Sequence, residues 1–198
     1  MPKRQLQTRN LTGSIYIVGE GITEQFYFTH LRQIMGYRCT IRPRFFGNTS
    51  IKEIQKKVEE LLSNRVYVIC VFDADVSVRD DAENKRLAGF IKKHKDNKNV
   101  LICSSLPSIE YWFLLHFENN HSYFRDSKSA EDALRKHLTS YKKSAEYLEK
   151  EKWVQELCAD NRISFATANA KVCDKETQSY TNVYRAIEIL EDKNNKKV

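Results

Sequence analysis

Several things are missing from this 198-residue chain, and each absence narrows what it can be. No apolar run approaches the roughly 20 residues that a membrane-crossing helix requires. The first ten residues, Met1-Pro-Lys-Arg-Gln-Leu-Gln-Thr-Arg-Asn10, are basic and polar and lack the apolar segment of a secretory leader. A cytoplasmic protein without a membrane partner is expected. The five cysteines (Cys39, Cys70, Cys103, Cys158 and Cys173) are odd in number and contain no Cys-x-x-Cys pair, which argues against a zinc site or a disulfide framework. No Ser/His/Asp or Cys/His nucleophile arrangement is visible, and no GxxxxGK loop of the kind that cradles nucleotide phosphates. There is no internal repeat and no low-complexity linker.

What is present is an ordinary apolar fraction, a high charged fraction and a formal net charge of +7. The length allows one compact domain with a real core. The positive balance favours a polyanionic partner, most simply nucleic acid. The first half alternates between short apolar runs and amphipathic stretches. Ser14 to Val18 reads as a strand buried on both faces, and Ile22 to Met35 as a helix whose stripe is Phe26, Tyr27, His30, Leu31 and Ile34, stopped by Gly36. Arg38 to Phe46 alternates as a strand with a basic face. A turn at 47–50 then caps a helix carrying Ile51, Ile54, Val58, Leu61 and Leu62. Residues 65–72 form a second buried strand, 77–96 a charged loop and a helix, and Val100 to Cys103 another strand. This β-α-β-α-β-α-β pattern predicts an α/β fold with a mostly parallel four-stranded sheet flanked by helices. The second half reads as helical: 108–117, 129–138, 144–159, 163–172 and 181–191. The expected organisation is a basic tail over 1–13, an α/β core over 14–117, a helical extension over 118–192 packed on that core, and a tail over 193–198.

In parallel sheets, ligands bind beyond the carboxyl ends of the strands. Carboxylates sit at two such ends, Glu20 in Gly19-Glu-Gly21 and the pair Asp73-Ala-Asp75. Acids two apart at a strand end can share a hard cation, although a polar turn would look the same. Glu24 falls in the first turn of a helix, where the macrodipole alone would favour it. Glu110 is an acid in an otherwise apolar helix, beside Trp112 and Leu114, and such an acid needs a partner. A metal is one candidate, an arginine or lysine another. His116 and His30 are read as core histidines.

Taken together, Gly19-Glu-Gly-Ile-Thr-Glu24 with Tyr27-Phe28, then Asp73-Ala-Asp75, then Leu106-Pro-Ser-Ile-Glu-Tyr-Trp-Phe-Leu-Leu-His116 resemble the three signatures of RloB-type proteins. These are related to the Toprim superfamily of topoisomerases, bacterial primases, OLD-type nucleases and the ribonuclease that matures 5S rRNA. The Toprim part covers about the first half, and the region around Thr181-Asn-Val183 extends the resemblance nearly to the end. Leu106 and Ile109 stand where the family often has Asn and Phe. The resemblance implies that Glu20 serves as metal ligand or general acid/base and that Glu24 is a second catalytic acid. It also implies that Asp73, Asp75 and Glu110 join Glu20 in holding Mg2+ or Mn2+. Phosphate-backbone contacts are expected from Arg42, Arg44, Lys92, Lys93, Lys142 and Lys143. The implied activity is endonucleolytic cleavage of nucleic acid (RNA, tRNA among it, or DNA) by the toxic effector of an anti-phage system. Expected partners are an SMC- or ABC-like ATPase encoded nearby and a second copy of the chain. The competing expectations are a non-catalytic module that binds nucleic acid or docks the ATPase, and a housekeeping RNA-processing enzyme.

Overall fold

The computed structural model describes residues 14–41, 50–75, 81–173 and 179–195. Arg42 and Arg44 lie outside the described residues. Apolar residues with β-branching, flanked by turns, make the strands β1 (Ile15–Gly19), β3 (Tyr67–Asp73) and β4 (Val100–Leu106). A shorter β2 (Cys39–Ile41) lies on the outer side of β1. The crossovers are α1 (Ile22–Met35), α2 (Ile51–Ser63) and α3 (Asp81–His94). Gly36, at φ 67°, ends α1 in the left-handed conformation that glycine adopts at least cost. Ser50 and Glu53 start α2 with a reciprocal capping box.

Among the described residues the sheet has five strands rather than four, in the order β2-β1-β3-β4-β5. The fifth, β5 (Tyr180–Thr181), runs antiparallel to the end of β4 and pairs Thr181 with Ser105 and Tyr180 with Leu106. These residues are read from sequence as the approach to, and start of, the last helix. Two residues cannot show a period, and what holds them is a non-local contact, the hydrogen bond between the Ser105 and Thr181 hydroxyls at 2.8 Å, both buried. Helix α9 (Val183–Asn195) follows directly.

Alternation along the strands supplies two cores. Val18, Val68, Cys70, Phe72 and Val100 pack against α2 and α3 through Ile51, Ile54, Val58, Leu87 and Phe90. Ile15, Ile17, Ile69, Val71, Leu101 and Cys103 face the other way, toward α1 and α4 (Ile109–Leu114). Over these pack α5 (Ser127–Leu134), α6 (Ala145–Leu148), α7 (Lys152–Cys158) and α8 (Arg162–Lys171). The helical second half therefore shares one core with the sheet, in which Tyr27, Trp112, Phe113, Tyr141 and Trp153 interlock. The continuous helix expected over 144–159 is broken. The carbonyl of Leu148 accepts from the Trp153 indole at 3.2 Å and lies 2.9 Å from His30 Nε2, so a nearby side chain and a distant one take the place of the next helical N–H. Among the described residues, no helix is long and apolar enough to cross a membrane.

Candidate active site

The parallel register places Gly19 beside Val71, and the Glu20 N–H extends that ladder by donating to the Val71 carbonyl at 3.1 Å. The Glu20 side chain thus arrives level with the end of β3, where its Oε2 accepts the Asp73 backbone N–H at 3.0 Å. Asp73 Oδ1 in turn accepts the Ile109 N–H at 2.9 Å, which ties the strand end to the first turn of α4. On the other side, Glu24 folds back from the first turn of α1, and its Oε2 accepts the Gly21 N–H at 2.8 Å. The glycines serve this packing. A Cβ on Gly19 would lie 2.6 Å from Glu24 Cβ, a distance that real side chains do not tolerate.

Glu110 completes the group, fully buried in α4. Three donors converge on it: the Tyr141 hydroxyl on Oε1 at 2.7 Å, and the Ser108 hydroxyl at 2.6 Å and Lys143 Nζ at 2.9 Å on Oε2. Of the two partners that the sequence allows for this acid, the structure supplies the lysine. Lys143 is expected from sequence to be a surface contact for phosphate. The structure brings it to the acidic site, where it pairs with a carboxylate that is 0% exposed while 35% of its own side chain stays exposed.

The electrostatics follow from burial and crowding. Burial, with the charges of Glu110 and Glu20, pushes Glu24 up to about 7 despite the backbone N–H groups that favour its ionised form. Burial also drives Asp73 well above the usual carboxylate range, helped by Glu24, Glu110 and Glu20 and opposed by Lys143. For Lys143, burial works to discharge the ammonium, but the charge and hydrogen bond of Glu110 and the charge of Asp73 outweigh it and hold the pKa above the ordinary lysine value.

Four of the five acids singled out from sequence, Glu20, Glu24, Asp73 and Glu110, thus act on one another at one end of the sheet. Asp75 is buried just beyond β3 but is not among the groups that act most strongly on Asp73. The strand β3 ends at Asp73, although the Ala74 N–H carries the ladder one step further by donating to the Ser105 carbonyl at 2.7 Å. Lys92 and Lys93 end α3, which returns the chain to the amino ends of the strands, away from these acids. Lys93 there pairs with Glu59 of α2. Lys142 is exposed beside Lys143. His116 and His30 are core residues: His116 Nδ1 lies 2.9 Å from the Trp112 carbonyl, and burial pushes its pKa down to about 4. Tyr141 and Ser108 were not singled out from sequence. No local pattern marks them, and only the demand that a buried Glu110 be satisfied points to such groups.

All the donors around this cleft are hard oxygens, the set that suits Mg2+ or Mn2+. Asp73 keeps a second oxygen that accepts no hydrogen bond among the described residues, and the crowding of Asp73 with Glu24 and Glu20 is what a cation would relieve. Glu110 fits less well, since both its oxygens are already engaged. Among the described residues, no group of three or more His, Cys, Asp or Glu side chains is already arranged to hold a metal ion. Taking one up would draw these carboxylates inward.

Compared with known proteins, the chain matches a family model described as RloB-like protein over residues 15–190. No curated protein and no solved structure matches it.

Proposed function

The chain belongs to the RloB-like protein family, and on that footing we propose that it is a metal-dependent endonuclease of Toprim type that cleaves phosphodiester bonds of RNA or DNA. One observation carries the reading: Glu20 and Glu24, which flank a strand-to-helix turn, meet Asp73 of the neighbouring parallel strand at the carboxyl end of the sheet. A charged site at that position is where this architecture places chemistry. A structural role alone would not gather and bury carboxylates so that burial first, and their mutual repulsion with it, raises two of their pKa values.

Glu20 and Asp73 are the ligands best placed for Mg2+ or Mn2+, with Asp75 close along the chain. The bound cation would supply positive charge to the phosphoryl oxygens as the bond breaks. Glu24, with a pKa of about 7, is the residue suited to take a proton from the attacking water or to return one to the leaving oxygen at neutral pH. The Gly21 N–H fixes one oxygen of its carboxylate. The Asp73 N–H orients Glu20, and the Ile109 N–H orients Asp73. The role as an anti-phage effector, with RNA (tRNA included) as a target and a neighbouring SMC- or ABC-like ATPase as partner, is supported by the family resemblance alone.

The test is cleavage of labelled RNA and DNA by purified protein with Mg2+ or Mn2+, compared with Glu20→Gln. Loss of cleavage by a factor of about 100 or more, with the fold retained, is expected for an acid that acts at the reacting phosphate. Undiminished cleavage in that variant overturns the reading. Binding without cleavage in the wild type would instead favour a non-catalytic nucleic-acid module.

A further inference from the structure

Lys143 sits above Glu110 in a way that a simple ion pair does not require. The carboxylate is fully buried, while the lysine side chain is about one-third exposed, so the lysine is the solvent-facing member of the pair. Two neutral hydroxyls, from Tyr141 and Ser108, already satisfy Glu110 from within. Ile109, beside Glu110 in α4, donates its N–H to Asp73, and the charges of Lys143 and Asp73 act on each other, so the ammonium is within electrostatic reach of the proposed reaction centre. An ammonium has three N–H donors, and one pairing with Glu110 leaves donors for an incoming anion. The acids Asp73, Glu20 and Glu24 of the proposed site would repel a phosphate, so a cation held within reach of Asp73 answers a specific need.

We propose that Glu110 is not a metal ligand but a holder for Lys143, and that Lys143 is the residue that receives the phosphate group of the nucleic acid at the mouth of the site. The proposal rests on the nuclease reading for the identity of the phosphate, and it places two residues of the second half of the chain in the machinery. Lys143 contacts substrate. Glu110, with Tyr141 and Ser108 behind it, is a positioning residue. A lysine whose stem is pinned in this way loses less freedom on binding phosphate than a surface lysine would.

The experiment compares Glu110→Gln, Lys143→Met, Lys143→Arg and the Glu110→Gln/Lys143→Met double variant. Mn2+ alone is titrated by calorimetry. Binding of a labelled single-stranded RNA oligonucleotide is measured in EDTA, cleavage is measured in Mn2+, and the circular dichroism melting midpoint serves as a control for folding. Mn2+ affinity should stay close to wild type in Glu110→Gln. RNA affinity should fall about 10- to 100-fold in Lys143→Met, the range of one charge-assisted hydrogen bond. Glu110→Gln should lose a similar factor, and the double variant no more than Lys143→Met alone, because both changes remove one contact. Lys143→Arg should recover part of the loss. Tyr141→Phe serves as a second, milder test if Glu110→Gln fails to fold, and it should weaken RNA binding without altering Mn2+ affinity. A large loss of Mn2+ affinity in Glu110→Gln, or full RNA binding in Lys143→Met, overturns the proposal. Absence of cleavage in the wild type would count against the nuclease reading, while the RNA-binding arm still decides the role of Lys143.

Discussion

At the scale of single residues, Glu24 is where stability and activity pull in opposite directions. Its carboxyl is raised from 4.5 to about 7 in the folded protein, mainly by burial. A raised acid binds more protons folded than unfolded across that interval, so its contribution to stability is complete below about 4.5 and is lost as pH climbs through 7. Asp73, shifted in the same direction, adds to the loss. Measured against Glu24→Gln, which shares the opposite effect of buried His116, metal-free wild-type protein should therefore lose melting midpoint between pH 5 and 8. Glutamine keeps an oxygen for the Gly21 N–H and removes the charge, so that variant should melt higher than wild type at pH 8 while losing cleavage. Mn2+ should raise the wild-type midpoint most at alkaline pH. A Glu24→Gln protein that melts lower than wild type at pH 8 would show that the ionised acid is not a burden on the fold.

Elements differ in how much of them can be read from sequence. Helix α1 is legible to its ends, because its apolar stripe and Gly36 are both local signals. The strands β1 and β3 are legible for the same reason, and with them the meeting of Glu20 and Asp73. What sequence does not reveal is made by partners far away in the chain. The break between α6 and α7 depends on Trp153 and His30 reaching one carbonyl, and β5 exists because Ser105 finds Thr181. The same is true of Glu110, whose need for a partner is plain from its apolar helix while Lys143, more than thirty positions on, carries no mark of being that partner. The packing of α1 on α4 is fixed by another such contact, the Trp112 indole N–H donated to the Tyr27 hydroxyl at 2.8 Å, with both side chains buried. Replacing Tyr27 by Phe leaves that donor unsatisfied. The expected cost is about 1–3 kcal/mol, read as a shift in the urea midpoint. An unchanged midpoint would mean that water reaches the indole.

For the molecule as a whole, the shared core makes a separable appendage implausible. Leu148, Trp153, Val154, Leu157, Val183, Ile187 and Leu190 lie in the same buried cluster as Ile15, Ile69 and Leu101 of the sheet. Sheet and helices should unfold in one transition, with coincident urea midpoints from far-UV circular dichroism and from the two tryptophans taken singly in Trp112→Phe and Trp153→Phe. Separated midpoints would show that the second half folds as a unit of its own. The antiparallel strand β5 has a further consequence, one of timing. Glu20, Glu24 and Asp73 are made early in synthesis, but the edge of β4 is closed only when Tyr180 and Thr181 arrive, and α9 runs to Asn195. A ribosome adding roughly 5–20 residues per second needs on the order of ten seconds to travel from the last of those acids to the end of α9. Throughout that interval the nascent chain lacks Tyr180 and Thr181, so the edge of β4 beside the proposed site stays open until they are added.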